Sequence, residues 1–243
     1  MAKFGLIGRN IAYSFSKRFF SEKFERENLV HTYENFDISS IQKFQKILQE
    51  TPHLKGLNVT IPYKEEIIPF LDSLDADAEK IGAVNTIKIS EEGKLIGYNT
   101  DHFGFQKSLE AFLPLRQKTA LILGTGGASK AVAYALHKLG FEFKFVSRKK
   151  TTAGLLYSEM DKSTIENHPL IINCTPLGTF PNIADCPPLS YHFLTKNHLL
   201  FDLIYNPAET EFLKRGKIQG AQTTNGLKML ELQAEKAWEI WNS

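Results

Sequence analysis

The chain has 243 residues, of which 42% are hydrophobic and 23% charged, as in an ordinary globular protein of one large or two modest domains. The formal net charge is +2 and the charges are interspersed, so we expect neither nucleic acid nor a membrane as a partner. No apolar run approaches the ~20 residues that span a bilayer. The two cysteines argue against a disulfide framework, and no Cys/His spacing of a zinc module occurs, which predicts a reducing cytoplasm and no metal site.

Short apolar segments alternate with helix-like segments along almost the whole chain, which is typical of βαβ units and a mainly parallel sheet. The first segment, MAKFGLIGRN, predicts a strand rather than a signal peptide, because a glycine and Arg9 interrupt its apolar run. A hairpin turn is expected around Gly93. Strands are predicted at residues 4–7, 33–38, 56–61, 84–89, 95–98, 120–123, 142–146, 170–173 and 199–203.

The segment GLNVTIPYKEEI, residues 56–67, carries polar residues inside an apolar strand. Side chains alternate along a strand, so its apolar residues, Ile61 among them, are predicted to face a core, while Asn58 and Thr60 face the other way. Pro62 cannot continue a ladder but suits the first turn of a helix. Lys64 would follow the strand end, where open α/β sheets place their ligands. On this segment alone the ordinary alternative, a solvated helix start, is favoured.

Three helices are predicted further along the chain. One begins near Thr100 and stops at Pro114, and it is expected to bridge an N-terminal and a central domain. Apolar residues at helical spacing predict a second helix over 128–139, stopped by Gly140. A similar stripe at residues 227–241 predicts a third, at the C-terminal end.

The segment TALILGTGGASKAVAYALHKLG predicts a strand, a glycine-rich turn and a helix. Gly124, Gly126 and Gly127 remove side chains where the backbone must approach a diphosphate, and the helix N-terminus supplies N–H groups and a positive dipole end. The fingerprint is imperfect, because the third position of G-x-G-x-x-G/A falls on Ser129. The strand before it and the amphipathic helix after it nevertheless favour a dinucleotide site.

The residues after the next strand bear on the choice between NAD and NADP. The strand FEFKFV ends in Ser147, Arg148, Lys149 and Lys150. A binder of NAD would carry an acidic residue here for the ribose 2′-hydroxyl, whereas arginine and lysine suit a 2′-phosphate. The alternative is a solvated basic loop, but at this point of such a fold NADP is the better prediction.

Further polar residues recur near predicted strand ends. Ser14 and Ser16, in YSFSK, could donate together to one anionic group, while Asn85 lies in GAVNTI and Asp101 ends GYNTD. Each has an ordinary alternative: Ser16 could be a helix N-cap, and Thr100 or Asp101 could cap the next helix. Their joint occurrence in a chain with a nucleotide-binding pattern favours a ligand site.

Seven motifs connect these residues to one enzyme family. GLNVTIPYKE is similar to G-x-N-V-T-x-P-x-K-E, GAVNTI to G-A-V-N-T, and GYNTDHFGF to G-x-N-T-D-x-x-G-F. LGTGGASKA is similar to a glycine turn and INCTPLG to N-x-T-P-L-G. DLIYNPAETEFL and NGLKMLELQA are similar to D-x-x-Y-x-P-x-x-T-x-x-L and G-x-x-M-L-x-x-Q. In this order, and over nearly the whole chain, the motifs resemble those of shikimate dehydrogenase.

The resemblance implies an α/β fold of two domains. Residues 1–101 and 224–243 would form the substrate-binding domain, to which the C-terminal helix returns, and residues 102–223 a Rossmann-type doubly wound NADP-binding domain. The family reaction is the reversible reduction of 3-dehydroshikimate to shikimate with NADPH, a step of aromatic amino-acid biosynthesis. The expected partner is this small substrate, and the chain is expected to be a monomer or a homodimer.

The resemblance also implies roles for individual residues. Lys64 would exchange the proton with the reacting oxygen, and Asp101 would orient it. Ser14 and Ser16 would bind the carboxylate of the substrate. Its ring hydroxyls would be bound by Asn58, Thr60, Asn85, Asp101 and Gln233. The residues implied to bind the cofactor are Gly124, Gly126, Gly127, Ala128, Ser147, Arg148, Lys149, Thr175, Gly226 and Met229.

Two departures from the family pattern bear on these roles. Tyr13 and Lys17 replace the histidine and proline of His-Ser-x-Ser-Pro, which changes the rim of the carboxylate pocket. Ser147 and Lys149 flank an arginine that the family also has, so the NADP prediction stands. The alternatives are a quinate/shikimate dehydrogenase that prefers NAD, a paralogue that acts on a related cyclohexene acid, a methylenetetrahydrofolate dehydrogenase type, and a catalytically silent regulator.

Overall fold

The structure, a computed structural model, describes residues 1–12, 14–150 and 154–243. They form two compact units: a first unit, Met1–Phe103 with Leu230–Ser243, and a second unit, Gly104–Met229. No helix in the described ranges is long and apolar enough to cross a membrane. The chain returns to the first unit at Leu230, six residues after the predicted return at residue 224. The reason is that Met229, at the start of the last helix, is buried in the core of the second unit.

The first unit contains a mixed sheet. Its elements, in chain order, are β1 (Lys3–Gly8), α1 (Phe15–Arg26), β2 (Thr32–Asp37), α2 (Phe44–Glu50), β3 (Leu54–Val59), β4 (Ser73–Leu74), α3 (Ala76–Ile81), β5 (Thr86–Ile89), β6 (Leu95–Tyr98) and the start of α4 (Asp101–Leu109). The strand order is β2-β1-β3-β5-β6-β4. β1 pairs in parallel with β2 and β3, whereas β5 is antiparallel to β3 and β6.

The second unit contains a sheet whose described strands are all parallel. Its further elements are β7 (Thr119–Leu123), α5 (Gly127–Lys138), β8 (Glu142–Ser147), β9 (Gly154–Leu156), α6 (Lys162–Glu166), β10 (Leu170–Asn173), β11 (Leu199–Asp202), α7 (Glu211–Ile218), β12 (Gln222–Thr224) and the start of α8 (Leu227–Asn242). The strand order is β12-β11-β10-β7-β8-β9. This is the order of two mononucleotide-binding halves in a doubly wound dinucleotide-binding fold.

Apolar side chains cover both faces of the second sheet. Ala120 and Ile122 of β7 lie in one core cluster, Leu121 and Leu123 in the other, and all four are fully buried. A parallel strand buried on both faces requires a continuous apolar run, which TALIL supplies. This is why the central strands of this unit are readily predicted.

The C-terminal helix, α8, packs on the first sheet as predicted. The indole nitrogen of Trp241 donates to the Ile87 carbonyl at 2.9 Å, and its ring stacks on Phe4 with 4.8 Å between centroids. Gly56 lies directly beneath: a Cβ there would come within 2.2 Å of the Trp241 Nε1 atom. The glycine of GLNVT therefore admits the tryptophan ring.

Three short strands escape the sequence prediction. β4, β9 and β12 have two or three residues each, and each lies at an edge of its sheet. An edge strand buries little surface, so it needs no apolar run that a pattern could detect. The missed strands do not change the fold class.

The end of β3 differs from the prediction. The strand stops at Val59, so Ile61 lies beyond it and is 69% exposed rather than in the core. No helix begins at Pro62; residues 61–67 form successive turns. The Lys64 carbonyl accepts from Val84 N at 2.7 Å, a bond outside any helical ladder. This tertiary bond overrides the local helix preference and fixes the backbone of Lys64.

Candidate active site

Lys64 and Asp101 form the central pair of a polar cluster in the first unit. Lys64 Nζ donates to Asp101 Oδ2 at 2.6 Å, and Asp101 Oδ1 accepts from the Asn85 side-chain amide at 3.0 Å. The Lys64 and Asp101 side chains are 15% and 7% exposed. A short charge-assisted bond in a largely desolvated position holds the ammonium in one orientation.

The start of α4 leaves the Asp101 carboxylate free for this pair. Asp101 is the first residue of the helix, and the next backbone amide, His102 N, donates to Asn99 Oδ1 at 3.3 Å. Asn99 thus supplies a side-chain acceptor at this terminus. An acidic side chain in the first turn also interacts favourably with the helix dipole.

Asn85 connects the pair to the C-terminal helix. Its side-chain nitrogen lies 2.9 Å from Thr100 Oγ1 and 3.1 Å from Gln233 Oε1, and its oxygen accepts from Thr100 N at 2.7 Å. Asn85 and Gln233 are 3% and 5% exposed. The fold therefore brings together Lys64, Asn85, Asp101 and Gln233, which the sequence distributes over 170 positions.

Asn58 and Thr60 differ in what they can offer a ligand. Asn58 Oδ1 accepts from the Tyr33 hydroxyl at 2.7 Å, and its Nδ2 donates to Thr86 Oγ1 at 3.2 Å and the Asn85 carbonyl at 3.3 Å. Both amide protons are engaged, so no donor remains for a ring hydroxyl. Thr60 is half-buried, and its hydroxyl makes no hydrogen bond to a described residue.

The paired serines lie at the N-terminus of α1. Ser14 is the N-cap: its Oγ accepts from Lys17 N at 3.1 Å, which leaves the hydroxyl proton free to donate. The alternative of Ser16 as the cap is wrong, because Ser16 lies in the first turn of the helix. The partial positive charge at this terminus favours an anion. Tyr13 lies outside the described residues.

The glycine turn between β7 and α5 has the features of a phosphate cradle. Gly124 has φ +107°, which other residues rarely adopt. Gly126 is the N-cap of α5, and a Cβ there would meet no atom within 4 Å, so the missing side chain leaves space for a ligand. Ser129 fits the third position because its buried hydroxyl donates to the Gly126 carbonyl at 2.6 Å. Gly127 and Ala128 form the first turn.

The basic residues after β8 include an exposed guanidinium, that of Arg148, without a hydrogen bond to the described residues. The Ser147 hydroxyl donates to the Lys149 carbonyl, which shapes the turn. Arg148 is exposed and makes no hydrogen bond or ion pair to another described residue, whereas Lys150 pairs with Glu159. Arg148 therefore has its donors available for a phosphate. Together with the open space at Gly126, this fits NADP.

Thr175 is held by a buried polar cluster. Its hydroxyl donates to Asn173 Oδ1 at 2.6 Å, and the Asn173 amide donates to Asp202 Oδ1 at 3.0 Å. Asp202 also accepts from the Thr210 hydroxyl at 2.6 Å. Burial raises the pKa of Asp202 to about 6, and the hydrogen bonds it accepts oppose that shift. Burial also raises the pKa of the Cys174 thiol well above its usual range, so Cys174 is a packing residue rather than a nucleophile.

Gly226 directly precedes α8, and Met229 lies near the start of that helix. A Cβ on Gly226 would lie 2.1 Å from the Leu203 carbonyl oxygen, so close backbone approach requires glycine there. Met229 is 5% exposed and packs in the core cluster around β7. Core packing thus explains the Met229 side chain, and its role towards a cofactor stays a prediction.

The sequence interpretation missed Tyr33, Thr86 and Asp202. Tyr33 and Thr86 gave no usable signal, because a tyrosine or threonine in a strand is usually a packing residue. Asp202 did give a usable sequence signal. Asn173 and Asp202 are the last residues of the neighbouring parallel strands β10 and β11, and they lie in register. Polar residues at adjacent carboxyl ends of parallel strands meet at one sheet edge.

The first unit is a mixed α/β unit with a lysine–aspartate pair, and the second unit has the Rossmann strand order. This combination in one chain is that of a nicotinamide-dependent oxidoreductase of two domains. Residues 6–87 match the family model of the shikimate dehydrogenase substrate binding domain. The chain is 39% identical over 248 residues to the shikimate dehydrogenase (NADP(+)) of Clostridium botulinum strain Hall, covering 98% of this chain and 95% of the relative. The chain belongs to the shikimate dehydrogenase family.

Solved structures support the same assignment. Shikimate dehydrogenase 1 from Peptoclostridium difficile is 40% identical with a TM-score of 0.86, covering 100% of this chain and 92% of that one. The Thermus thermophilus enzyme, in complex with NADP(H) and shikimate, is 31% identical with a TM-score of 0.88, covering 99% and 93%. The predicted α/β fold class is confirmed.

Proposed function

We propose that this chain catalyses the reversible NADPH-dependent reduction of 3-dehydroshikimate to shikimate, a step of chorismate and aromatic amino-acid biosynthesis. Its relatives are shikimate dehydrogenases that use NADP. The observation that carries the proposal is the 2.6 Å bond between Lys64 Nζ and Asp101 Oδ2 in a buried polar cluster. Such a pair is a positioned proton donor of the kind that carbonyl reduction requires.

Lys64 moves the proton. Bound NADPH supplies the hydride that adds to the carbonyl carbon. Lys64 gives one ammonium proton to the carbonyl oxygen, where negative charge develops, and the neutral amine then regains a proton from water. In the oxidation of shikimate, the Lys64 amine takes the hydroxyl proton. Asp101 orients Lys64 throughout, because Asn85 holds its other oxygen in place.

The serines and the neighbouring polar residues bind the substrate. Ser14 and Ser16 hold the carboxylate at the N-terminus of α1, where Ser14 has a free hydroxyl proton and the helix dipole is favourable. Thr60, Asn85, Asp101 and Gln233 bind ring hydroxyls. Asn58 also binds a ring hydroxyl, as an acceptor through the second lone pair of its Oδ1, since its amide protons are engaged.

The second unit binds NADP rather than NAD. The diphosphate lies at the N-terminus of α5, over Gly124, Gly126, Gly127 and Ala128. Arg148 binds the 2′-phosphate with Ser147 and Lys149 beside it, and Thr175, Gly226 and Met229 complete the predicted set. The exposure of Arg148, without a partner among the described residues, supports this choice.

The test is a comparison of four reactions. Purified protein is assayed for reduction of NADP⁺ and of NAD⁺, each with shikimate and with quinate. We expect kcat/KM to be greatest for shikimate with NADP⁺. A preference for quinate, or for NAD⁺, would replace the proposal by the quinate/shikimate dehydrogenase alternative, and no turnover of either acid would refute both.

Location and assembly complete the proposal. Cys174 and Cys186 are both free thiols, in agreement with a reducing, cytoplasmic compartment. The chain is expected to be a monomer or a homodimer, and light scattering on the purified protein measures this state. A larger assembly would contradict it.

A further inference from the structure

We propose that Tyr33, a buried residue of β2, is a positioning residue for the Lys64–Asp101 pair and acts through a one-directional chain of hydrogen bonds. The inference deepens the proposed function and rests on it, because it concerns the same proton-transfer pair. Tyr33 neither contacts the substrate nor gives it a proton, since its side chain is buried and its hydroxyl proton is engaged. Its effect passes through other side chains.

The first half of this hydrogen-bond chain runs from β2 to the middle of the sheet. The Tyr33 hydroxyl donates to Asn58 Oδ1 at 2.7 Å. Asn58 Nδ2 then donates to Thr86 Oγ1 at 3.2 Å.

The second half ends at the catalytic pair. The Thr86 hydroxyl donates to Asn85 Oδ1 at 3.2 Å, and Asn85 Nδ2 donates to Asp101 Oδ1 at 3.0 Å. The opposite oxygen of Asp101 accepts from Lys64. Every link thus points the same way, towards the carboxylate.

This common direction gives Tyr33 its role. An asparagine that accepts at its oxygen and donates at its nitrogen has only one amide orientation that satisfies both neighbours. Tyr33 fixes that orientation for Asn58, whereas the backbone N–H of Thr100 also fixes it for Asn85. Bonds arranged head to tail also polarise one another, which strengthens the bond that Asp101 finally accepts. Without the Tyr33 hydroxyl, the Asn58 carbonyl loses its donor inside the protein and the Asn58 amide loses its fixed orientation, which weakens the bond that it donates to Thr86 and the polarisation of the bonds that follow.

The ring and the hydroxyl of Tyr33 can be separated experimentally. The ring stacks on Phe20 with 4.8 Å between centroids and an interplanar angle of 12°. Phenylalanine preserves this packing and removes only the hydroxyl. Burial raises the pKa of Tyr33 well above its usual range, so the hydroxyl stays protonated and keeps donating throughout the working pH range.

The main experiment compares Tyr33→Phe with a matched control. Tyr191→Phe removes another buried hydroxyl, which donates to the Pro187 carbonyl at 2.8 Å in the second unit. We expect Tyr33→Phe to lower kcat with shikimate by roughly 3–10-fold, the worth of one hydrogen bond, and to leave KM for NADP⁺ unchanged. Tyr191→Phe should lower thermal stability alone. If Tyr33→Phe also loses stability but keeps the parental kcat, its hydroxyl is structural and the inference is overturned.

A double-mutant cycle tests the route. In an Asp101→Asn background, Tyr33→Phe should reduce kcat by less than about 1.5-fold, because the carboxylate through which it acts is absent. If the two substitutions instead lowered kcat by independent factors that multiply in the double variant, the proposed hydrogen-bond route would be refuted. If Tyr33→Phe does not fold, Thr86→Val tests a later link, and Thr86→Ser, which keeps the hydroxyl, should lose less activity; equal losses would refute the chain.

The design separates this inference from the proposed function. A parent protein that does not oxidise shikimate would refute the proposed function, and the role of Tyr33 would fall with it. A parent that turns over normally, with an unaffected Tyr33→Phe variant, would refute the role of Tyr33 alone.

Discussion

The two predicted binding regions are built on opposite plans. In the first unit, Lys64, Asn85, Asp101 and Gln233 are buried or nearly so and satisfy one another's hydrogen bonds. In the second unit, Gly126 faces open space and Arg148 is exposed without a partner among the described residues. The first region is organised before a ligand arrives, whereas the second exposes groups that await one.

The difference has a physical basis in what each region is proposed to do. Proton transfer requires a donor held in one orientation, and a desolvated carboxylate achieves this at short range. Binding a charged cofactor requires unshared donors, because a guanidinium already paired within the protein would have to be released first. Changes in the first region should therefore affect turnover and stability together, and changes in the second should affect cofactor affinity alone.

The largest effect is expected from the first region. Lys64→Ala should lower kcat by about 10²–10⁴-fold, the usual contribution of general acid–base catalysis, with a much smaller change in KM for shikimate. Asp101→Asn should also slow turnover, since it removes the charge that orients Lys64. Steady-state kinetics measure both. Lys55→Ala, at an exposed lysine of β3, is the control. A kcat for Lys64→Ala within a few-fold of the parent would end its catalytic assignment.

A second test concerns the pH dependence of stability and uses Asp202, a buried carboxylate of the second unit. Because its folded pKa of about 6 lies above the unfolded value, the folded state binds the proton more tightly. This contribution to stability is complete below about pH 4 and is lost as the pH rises through about 6, roughly 3 kcal/mol in all. Asp202→Asn cannot ionise, so it should lack this loss.

Urea unfolding at several pH values measures the Asp202 effect. Circular dichroism is the suitable signal, because both tryptophans, Trp238 and Trp241, lie in the first unit. The unfolding free energy of the parent minus that of Asp202→Asn should decrease between about pH 4 and pH 7. A difference that does not vary with pH would show that Asp202 titrates normally.

Arg148 tests the open plan of the second region. Arg148→Ala should weaken NADP⁺ binding by roughly 1.5–3 kcal/mol, the worth of a charge-assisted hydrogen bond, and leave NAD⁺ binding nearly unchanged. The melting temperature should stay at the parental value, because no described residue bonds to Arg148. Lys150→Ala, whose lysine pairs with Glu159, should have a smaller effect on NADP⁺. Equal losses for both cofactors would contradict the 2′-phosphate assignment.

The smallest effect separates two roles of Ser14. Ser14→Ala should lower the free energy of unfolding by ~1 kcal/mol, through loss of the N-cap, and raise KM for shikimate. Ser14→Asp keeps a capping oxygen and should recover the stability, but its charge should repel the substrate carboxylate and raise KM further. Chemical denaturation and kinetics distinguish the two. If KM for shikimate stayed parental in Ser14→Asp, the serine would be a cap only.

The site was more predictable from the sequence than its supporting contacts. Lys64, Asp101, Asn85 and Gln233 lie in short motifs, and the structure brings them together. Asn58 lies in such a motif too, but its amide turned out to be engaged inside the sheet. A motif identifies which residue types are present; it does not say which of their donors are already used.

The amino-acid pattern by itself determined the fold class and the central strands. Continuous apolar runs such as TALIL can be satisfied only by a strand covered on both faces, and the glycine turn that follows predicts the start of α5. These are local properties, carried by neighbouring residues.

Only the tertiary structure decided the end of β3 and the hydrogen-bond partners of the polar residues. The segment after Val59 forms turns rather than a helix because Val84, twenty residues beyond Lys64, donates to its carbonyl. Tyr33 bonds to Asn58, and Asn85 to Gln233, across 25 and 148 positions of the chain. Such bonds depend on the distance between side chains after the sheet has formed, and no periodicity of the sequence encodes that distance.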